Sequence, residues 1–346
     1  MFRLLSFFIL FTSVFINGSN IFKIDTPVSL VQELDHWKQF SIFQERFSKK
    51  YESILEFKSR FEVFSSNLKY ILEHNSDSTQ NFTLGMNQFS DLTNDEFKEK
   101  YVSGLKNGVS VGSYGCKSFS SSGSAPDTID WRTLNKVSSV KDQGQCGSCW
   151  AFSSTGAIES AWAISKNQLI DLSEQELVDC ATGILYGSHG CNGGQMEGGF
   201  KYVIGNGQCL NSAYPYTSGL TKSAGSCQKC SSSVQISGCY DVVPNDQLSL
   251  KVAVSKQPVA IAIEADTTYF QSYSSGILDS VKCGTTLDHG VLIVGYGEEN
   301  GQKYWIVKNS WSETWGDKGY VRIARSESAN DAGICGIGMN PSFPVV

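Results

Sequence analysis

The chain offers little to nucleic acid or to a membrane. It has 28 lysines and arginines against 34 acidic residues, a formal net charge of −6, so no basic surplus is available to neutralise a phosphate backbone. Beyond Ile16 no apolar run reaches the roughly 20 residues that a spanning helix needs. No internal repeat marks a solenoid. Histidine is scarce, with four residues in all, and only His189 and His289 lie in the second part of the chain. Any imidazole chemistry there has few possible sources. Charged residues are 18% and hydrophobic ones 40% of the 346, a globular balance at a length that suits two lobes plus an extra segment.

What is present begins with Met1 to Gly18, where Arg3 is followed by an apolar stretch from Leu4 to Ile16 and then by small or polar residues. This pattern reads as a secretory signal cut near Gly18, leaving no membrane anchor afterwards. Eleven cysteines in an exported chain imply disulfides. The odd count leaves one thiol over, which hints at a separate job for a single cysteine.

Leu34, Trp37, Phe40 and Phe47 recur at helical spacing and predict a helix over Glu33 to Phe47; a second amphipathic stretch runs from Ile54 to Asn75. Ser118 to Ser124 has the composition of a linker and marks a boundary. After it, Cys149 to Ala163 and Ser173 to Cys180 read as helices, with Ser173 as N-cap and Glu176 closing a capping box. Val259–Ile263, Val291–Tyr296, Tyr304–Lys308 and Tyr320–Ala324 are short β-type runs. Helices followed by strands predict an α+β protein with two lobes and a cleft between them.

A nucleophilic thiol must ionise near neutral pH or below, and Gln143-Gly-Gln-Cys-Gly-Ser-Cys149-Trp150 puts one at a helix start, where the dipole favours the thiolate. Gly147 is expected to allow the tight turn before that helix. Cys-x-x-Cys alone also fits half a zinc site or a redox pair. A metal would need further ligands at suitable spacing, and export disfavours the redox pair, so a structural Cys146 beside a free Cys149 is the best-supported reading. His289 opens the strand Asp288-His-Gly-Val-Leu-Ile-Val and is the better base than His189, which lies in the loop between Cys180 and Cys191. A buried histidine satisfied by backbone is the alternative. Asn309, after the strand ending at Lys308, is the candidate to orient the imidazole, with Trp311 shielding the bond. The side-chain amide of Gln143 and the Cys149 N–H could hold an oxyanion.

These residues, in this order, resemble the papain family in its cathepsin L-like branch. Cys191-Asn-Gly-Gly194 and Gly316-Asp-Lys-Gly-Tyr320 strengthen the likeness, as do Glu56, Arg60, Phe64, Asn67, Ile71 and Asn75 at intervals of four, four, three, four and four, and Gly85-x-Asn87-x-Phe89-x-Asp91. The resemblance implies a helical lobe and a β-barrel-like lobe around the cleft, preceded by a helical inhibitory propeptide. The expected division is a signal at 1–18, a propeptide with linker at 19–124, and a peptidase domain at 125–346.

It also implies cysteine endopeptidase activity through a thioester, without metal or organic cofactor, on protein and peptide substrates. The propeptide acts as the chain's own inhibitor, and Asp91 is expected to help its release at low pH. Gly193 and Gly194 are expected to pair with substrate backbone, and Met196, Ala262, Leu287 and Asn340 to line the pocket for the residue two before the cut, favouring Leu, Val or Phe over Arg. Cys146 is expected to pair with Cys191, Cys180 with Cys227 or Cys230, and Cys283 with Cys335. The remaining member of that pair, Cys209 and Cys239 are extra, and the pattern leaves open whether one stays free or is tethered to Cys116. The expected setting is a lysosome, another acidic endocytic compartment or the extracellular space, with the protein a monomer. Asn81-Phe-Thr83 fits an N-glycosylation acceptor. An exopeptidase of the same family and a catalytically silent binding homologue are the alternatives; no insertion large enough to block one end of the cleft is evident.

Overall fold

Two aromatic-rich helices, α1 (Val28–Arg46) and α2 (Ile54–Ser76), lead the chain in the computed structural model. It describes residues 28–102, 105 and 114–346. The expected leader, Met1 to Gly18, lies outside the described residues. Trp37 stacks on Phe61 with ring centroids 3.5 Å apart, and Phe40 packs against Phe43, Phe57 and Phe64, an apolar seam of the kind that holds crossing helices together. Ser53 caps α2 by accepting from the Glu56 N–H.

The polar face of α2 is spent on the segment that follows it. Asn75 exchanges hydrogen bonds with the backbone of Leu84, Asn67 donates to the carbonyls of Ser90 and Leu92, and Arg60 forks onto Glu96 at 2.6 and 2.7 Å. Phe64 and Ile71 are buried on the same side. Glu56 differs from the other five: its carboxylate accepts from the Glu52 N–H at the start of its own helix.

Ten strands follow in chain order: β1 (Phe82–Leu84), β2 (Lys117–Phe119), β3 (Ile129–Asp130), β4 (Gly238–Val242), β5 (Val259–Ile263), β6 (Tyr273–Leu278), β7 (His289–Glu299), β8 (Gln302–Lys308), β9 (Tyr320–Ala324) and β10 (Ser342–Val345). They form one mixed sheet in the order β1-β6-β9-β8-β7-β5-β10-β4-β2, with β3 also paired to β7. Both end strands, β1 and β2, come from the region ahead of residue 125. Ser118 and Phe119, expected as flexible linker, instead run parallel to β4, because the apolar Phe119 ring finds Tyr240 and Phe343 to pack on.

Between these strands lie the turn α3 (Asn94–Phe97), the long α4 (Cys149–Lys166), α5 (Glu174–Cys180) and α6 (Met196–Asn206). Trp150, Ile158, Leu177, Phe200 and Val203 make the helical core. Ile261, Ile293, Trp305, Val321 and Ile323 make the sheet core, and Leu84, Phe89, Leu92 and Phe97 are buried in that same cluster. The leading segment is thus packed as part of the sheet lobe. Ser173 caps α5 as expected, but the box is half formed: Glu176 turns inward to accept from Cys209 N–H and Tyr202. No helix among the described residues is long and apolar enough to cross a membrane.

Ten of the eleven cysteines are joined: Cys116–Cys239, Cys146–Cys191, Cys180–Cys227, Cys209–Cys230 and Cys283–Cys335. Cys149 is the free thiol. The fourth and first of these resolve the choice that the sequence left open, with Cys230 taken by Cys209 and Cys239 tethered to Cys116.

Candidate active site

Cys149 is the first residue of α4, whose N-cap Ser148 gives the helix no side-chain cap; the Ser148 hydroxyl bonds Tyr216 instead, at 2.8 Å. The opening N–H groups are therefore left to the thiol, which faces the amides of Gly290, Trp150 and Cys149 itself. Gly144 takes a φ of +58°, and the tight turn before the helix falls at Gly147 as expected, with Ser148 N–H donating to Cys146 O at 2.7 Å. Gly147 bridges in parallel to Asn192 and donates to Cys191 O at 2.9 Å, so the Cys146–Cys191 disulfide fastens this strip.

The antiparallel register of β7 on β8 pairs Leu292 with Lys308 and so brings His289, at the start of one strand, beside Asn309, just past the end of the other. His289 Nε2 lies 2.7 Å from Asn309 Oδ1, which also accepts from Ser310 N–H at 2.8 Å. An oxygen already accepting fixes the orientation of the amide, so Nε2 carries the proton and Nδ1 keeps its lone pair. Nδ1 has no hydrogen-bond partner among the described residues. Trp311 stacks on the imidazole at 4.5 Å and 27° and excludes water from the His289–Asn309 bond. Gly290 comes so close to Cys149 that a Cβ there would sit 3.2 Å from the Cys149 carbonyl oxygen, which brings α4 and β7 together across the lobes.

Gln143 is held from two sides. Its Oε1 accepts from Ser310 Oγ at 2.7 Å and its carbonyl accepts from Tyr216 Oη at 2.8 Å, which turns Nε2 toward the cleft. There it donates to Cys146 O at 3.0 Å and to the Tyr101 carbonyl at 3.4 Å.

The leading segment covers this machinery. Phe89 and Phe97 pack edge-on against Trp311, Gln88 donates to its carbonyl at 2.6 Å, and Gly85 N–H and Asn87 Nδ2 bond Ser272 O and Gln271 O. Leu105 bridges in parallel to Gly194 and packs on the apolar cluster containing Met196 and Ala262. Both catalytic candidates are wholly buried beneath it. Burial, the dominant cause, pushes the Cys149 thiol up to about 12 and the His289 imidazole down to about 4. With the cleft covered, burial favours the neutral form of both groups.

Met196 and Ala262 are buried, while Leu287 and Asn340 are half-buried. Gly194 admits no side chain, since a Cβ would meet Trp150 and Ser188 at 2.6 Å, and Gly193 takes a φ of +95°. His189 is exposed, and its backbone N–H donates to Gly193 O at 2.8 Å. Two features escaped the sequence. Glu197, buried and facing Asn340 and Ser342, is pushed up to about 7 by desolvation; its place one residue after Met196 was the available signal. Lys141, between Glu159 at 3.1 Å and Glu174 at 2.6 Å, forms a buried charge cluster with Lys308, which bonds Ser138 at 3.0 Å and joins the lobes directly behind Asn309. Nothing in the spacing of those four residues pointed to it.

A two-lobed α+β domain with a free thiol at a helix start, and a prosegment lying over it, defines the class of cysteine protease precursors. Residues 125–345 match the family described as papain family cysteine protease, and residues 40–97 match the cathepsin propeptide inhibitor domain. The chain belongs to the papain family. It is 45% identical to the probable cysteine protease RD21C of Arabidopsis thaliana, over 86% of this chain and 65% of that one. The chain spans about 60–65% of the length of three such Arabidopsis relatives. Among solved structures, a recombinant stem bromelain precursor superposes with a TM-score of 0.81 at 37% identity, covering 90% of this chain and 99% of that one. The digestive procathepsin L 3 of Tenebrio molitor larval midgut gives 0.81 at 39%, with the same coverage.

Proposed function

We propose that the chain is the zymogen of a cysteine endopeptidase. The observation that carries this reading is the 2.7 Å contact of His289 Nε2 with Asn309 Oδ1: with an oxygen accepting there, Nε2 is the donor and the lone pair on Nδ1 is left for the thiol of the neighbouring helix start. Once the cleft opens, the desolvation that keeps both groups neutral is relieved, and the proton moves from Cys149 Sγ to His289 Nδ1. The thiolate attacks the substrate carbonyl carbon, and the oxyanion takes hydrogen bonds from Gln143 Nε2 and Cys149 N–H. His289 returns its proton to the leaving amine as the C–N bond breaks. Water, deprotonated by His289, then hydrolyses the thioester and frees the thiol.

The covering segment supports the zymogen reading, because the Tyr101 carbonyl already takes the Gln143 amide and Leu105 already pairs with Gly194. A chain that engages the oxyanion donor and the substrate ledge blocks both. Leu105, packed on the apolar cluster that includes Met196 and Ala262, supports an apolar side chain, Leu, Val or Phe, at the position two before the cut. Substrates are therefore proteins and peptides, cleaved internally, by a monomer working in an acidic endocytic compartment or outside the cell after loss of residues 1–18. Acidifying the purified precursor and digesting a long peptide tests this: internal cuts support it, and release of terminal residues alone would instead favour the exopeptidase.

A further inference from the structure

The segment ahead of residue 125 has two parts that are attached to the catalytic lobes in different ways. Residues 34–102 lie against the catalytic lobes through packing, hydrogen bonds and the pairing of β1 with β6, with no covalent link. Residues 116–121 are woven into the catalytic domain itself. Cys116 is bonded to Cys239 of β4, and Lys117, Ser118 and Phe119 pair in parallel with Tyr240, Asp241 and Val242. Val243 N–H donates to Phe119 O at 3.0 Å, and Ser121 N–H donates to Ser249 Oγ at 3.0 Å. Phe119 lies edge-on to Phe343. Both cysteines are buried in the helical core.

We infer that the Cys116–Cys239 disulfide keeps the strand Lys117–Phe119 on the peptidase domain after the inhibitory segment has been removed. The mature enzyme then includes a strand contributed by the precursor. This rests on the zymogen reading above. A cut near Ala125 breaks one peptide bond but leaves everything before it hanging from Cys239. Complete release of the inhibitory part then needs a second cut on the N-terminal side of Cys116, or reduction of the disulfide by two equivalents of a thiol, which leave as their own disulfide and return two sulfhydryls. In the first case the short strand stays. Cysteine parity argues the same way: without Cys116, the buried Cys239 would become a second free thiol in an exported protein, whereas retention leaves Cys149 as the free one.

The test is to activate the full precursor at acid pH without reductant, label the active site with a thiol-directed peptide inhibitor, alkylate without reduction, digest and map. One Cys116–Cys239 linked peptide per catalytic domain is expected. Its absence, with Cys239 alkylated or paired elsewhere, overturns the inference. A double variant carrying Cys116→Ser and Cys239→Ser, activated alongside, is expected to lose the 116–119 peptide; retention there would assign the hold to strand pairing and overturn the role given to the disulfide. If that variant does not fold, the wild-type map decides alone. Failure of the label with the linked peptide present would count against the catalytic reading and leave the tether supported.

Discussion

His289 and Asn309 are twenty residues apart in sequence but meet at 2.7 Å because the β7–β8 hairpin returns Asn309 to the end from which His289 starts. In the proposed mechanism this bond orients a ring that becomes cationic during turnover, and a hydrogen bond to a charged group contributes about 1.5–3 kcal/mol. Asn309→Ala is therefore expected to lower kcat by roughly 10- to 150-fold by that range and to leave KM within a few-fold. Steady-state kinetics on a fluorogenic peptide would read it, and a change confined to KM would count against an orienting role.

Gln143 Nε2 is aimed into the cleft by Ser310, whose hydroxyl takes the other amide atom. Loss of one oxyanion donor costs roughly 10²–10³ in kcat, so Gln143→Ala should fall by that amount. Alkylation of Cys149 by a small haloacetamide forms no oxyanion. Its rate should be nearly unchanged, and a parallel collapse of both would mean that Gln143 acts on the thiol.

Two carboxylates anchor the prosegment, Glu96 and Asp91. Glu96 is kept at about 2, against an ordinary 4.5, chiefly by its hydrogen bonds from Arg60. A depressed carboxyl stabilises the folded form above pH 4.5, and that stability is lost as the pH falls from 4.5 toward 2. Mild acid therefore leaves the Arg60–Glu96 pair intact. Glu96→Gln should lower the melting temperature of the precursor at pH 7, with the difference shrinking to nothing near pH 2. Asp91 is buried and bonded to Lys49 at 2.8 Å and Tyr51 at 2.9 Å, and the resemblance gave it a part in release at low pH. An Asp91→Asn precursor that matures with the wild-type pH dependence would remove it from that role.

The pocket assignment is tested with a panel of peptides that vary only two residues before the cut. With Met196, Ala262 and Leu287 lining the proposed pocket, Leu, Val or Phe should exceed Arg in kcat/KM. Arg ahead of Leu would show that the buried Glu197 carboxylate, facing Asn340, governs the pocket.

Much of this was legible in the chain because short-range signals carried it. Helical spacing placed α1 and α2, and runs of β-branched residues placed β5 and the central β7, β8 and β9. The Cys149, His289, Asn309 and Gln143 constellation followed from residue types at element ends. What escaped depends on distant partners. Phe119 looks like part of a linker until Tyr240 and Phe343 are beside it, and Glu176 looks like half of a capping box until Cys209 N–H offers a better bond.

The central claim is that one sulfur, silent under the prosegment and reactive once it leaves, performs the cleavage. The most direct measurement follows stoichiometric alkylation of Cys149, before and after acid activation, against peptide turnover in the same samples. The precursor thiol, protonated and buried, should react slowly, the activated thiol should react much faster, and activity should vanish in proportion to label, as it should in Cys149→Ala. Turnover that survives complete modification of Cys149 would contradict the account.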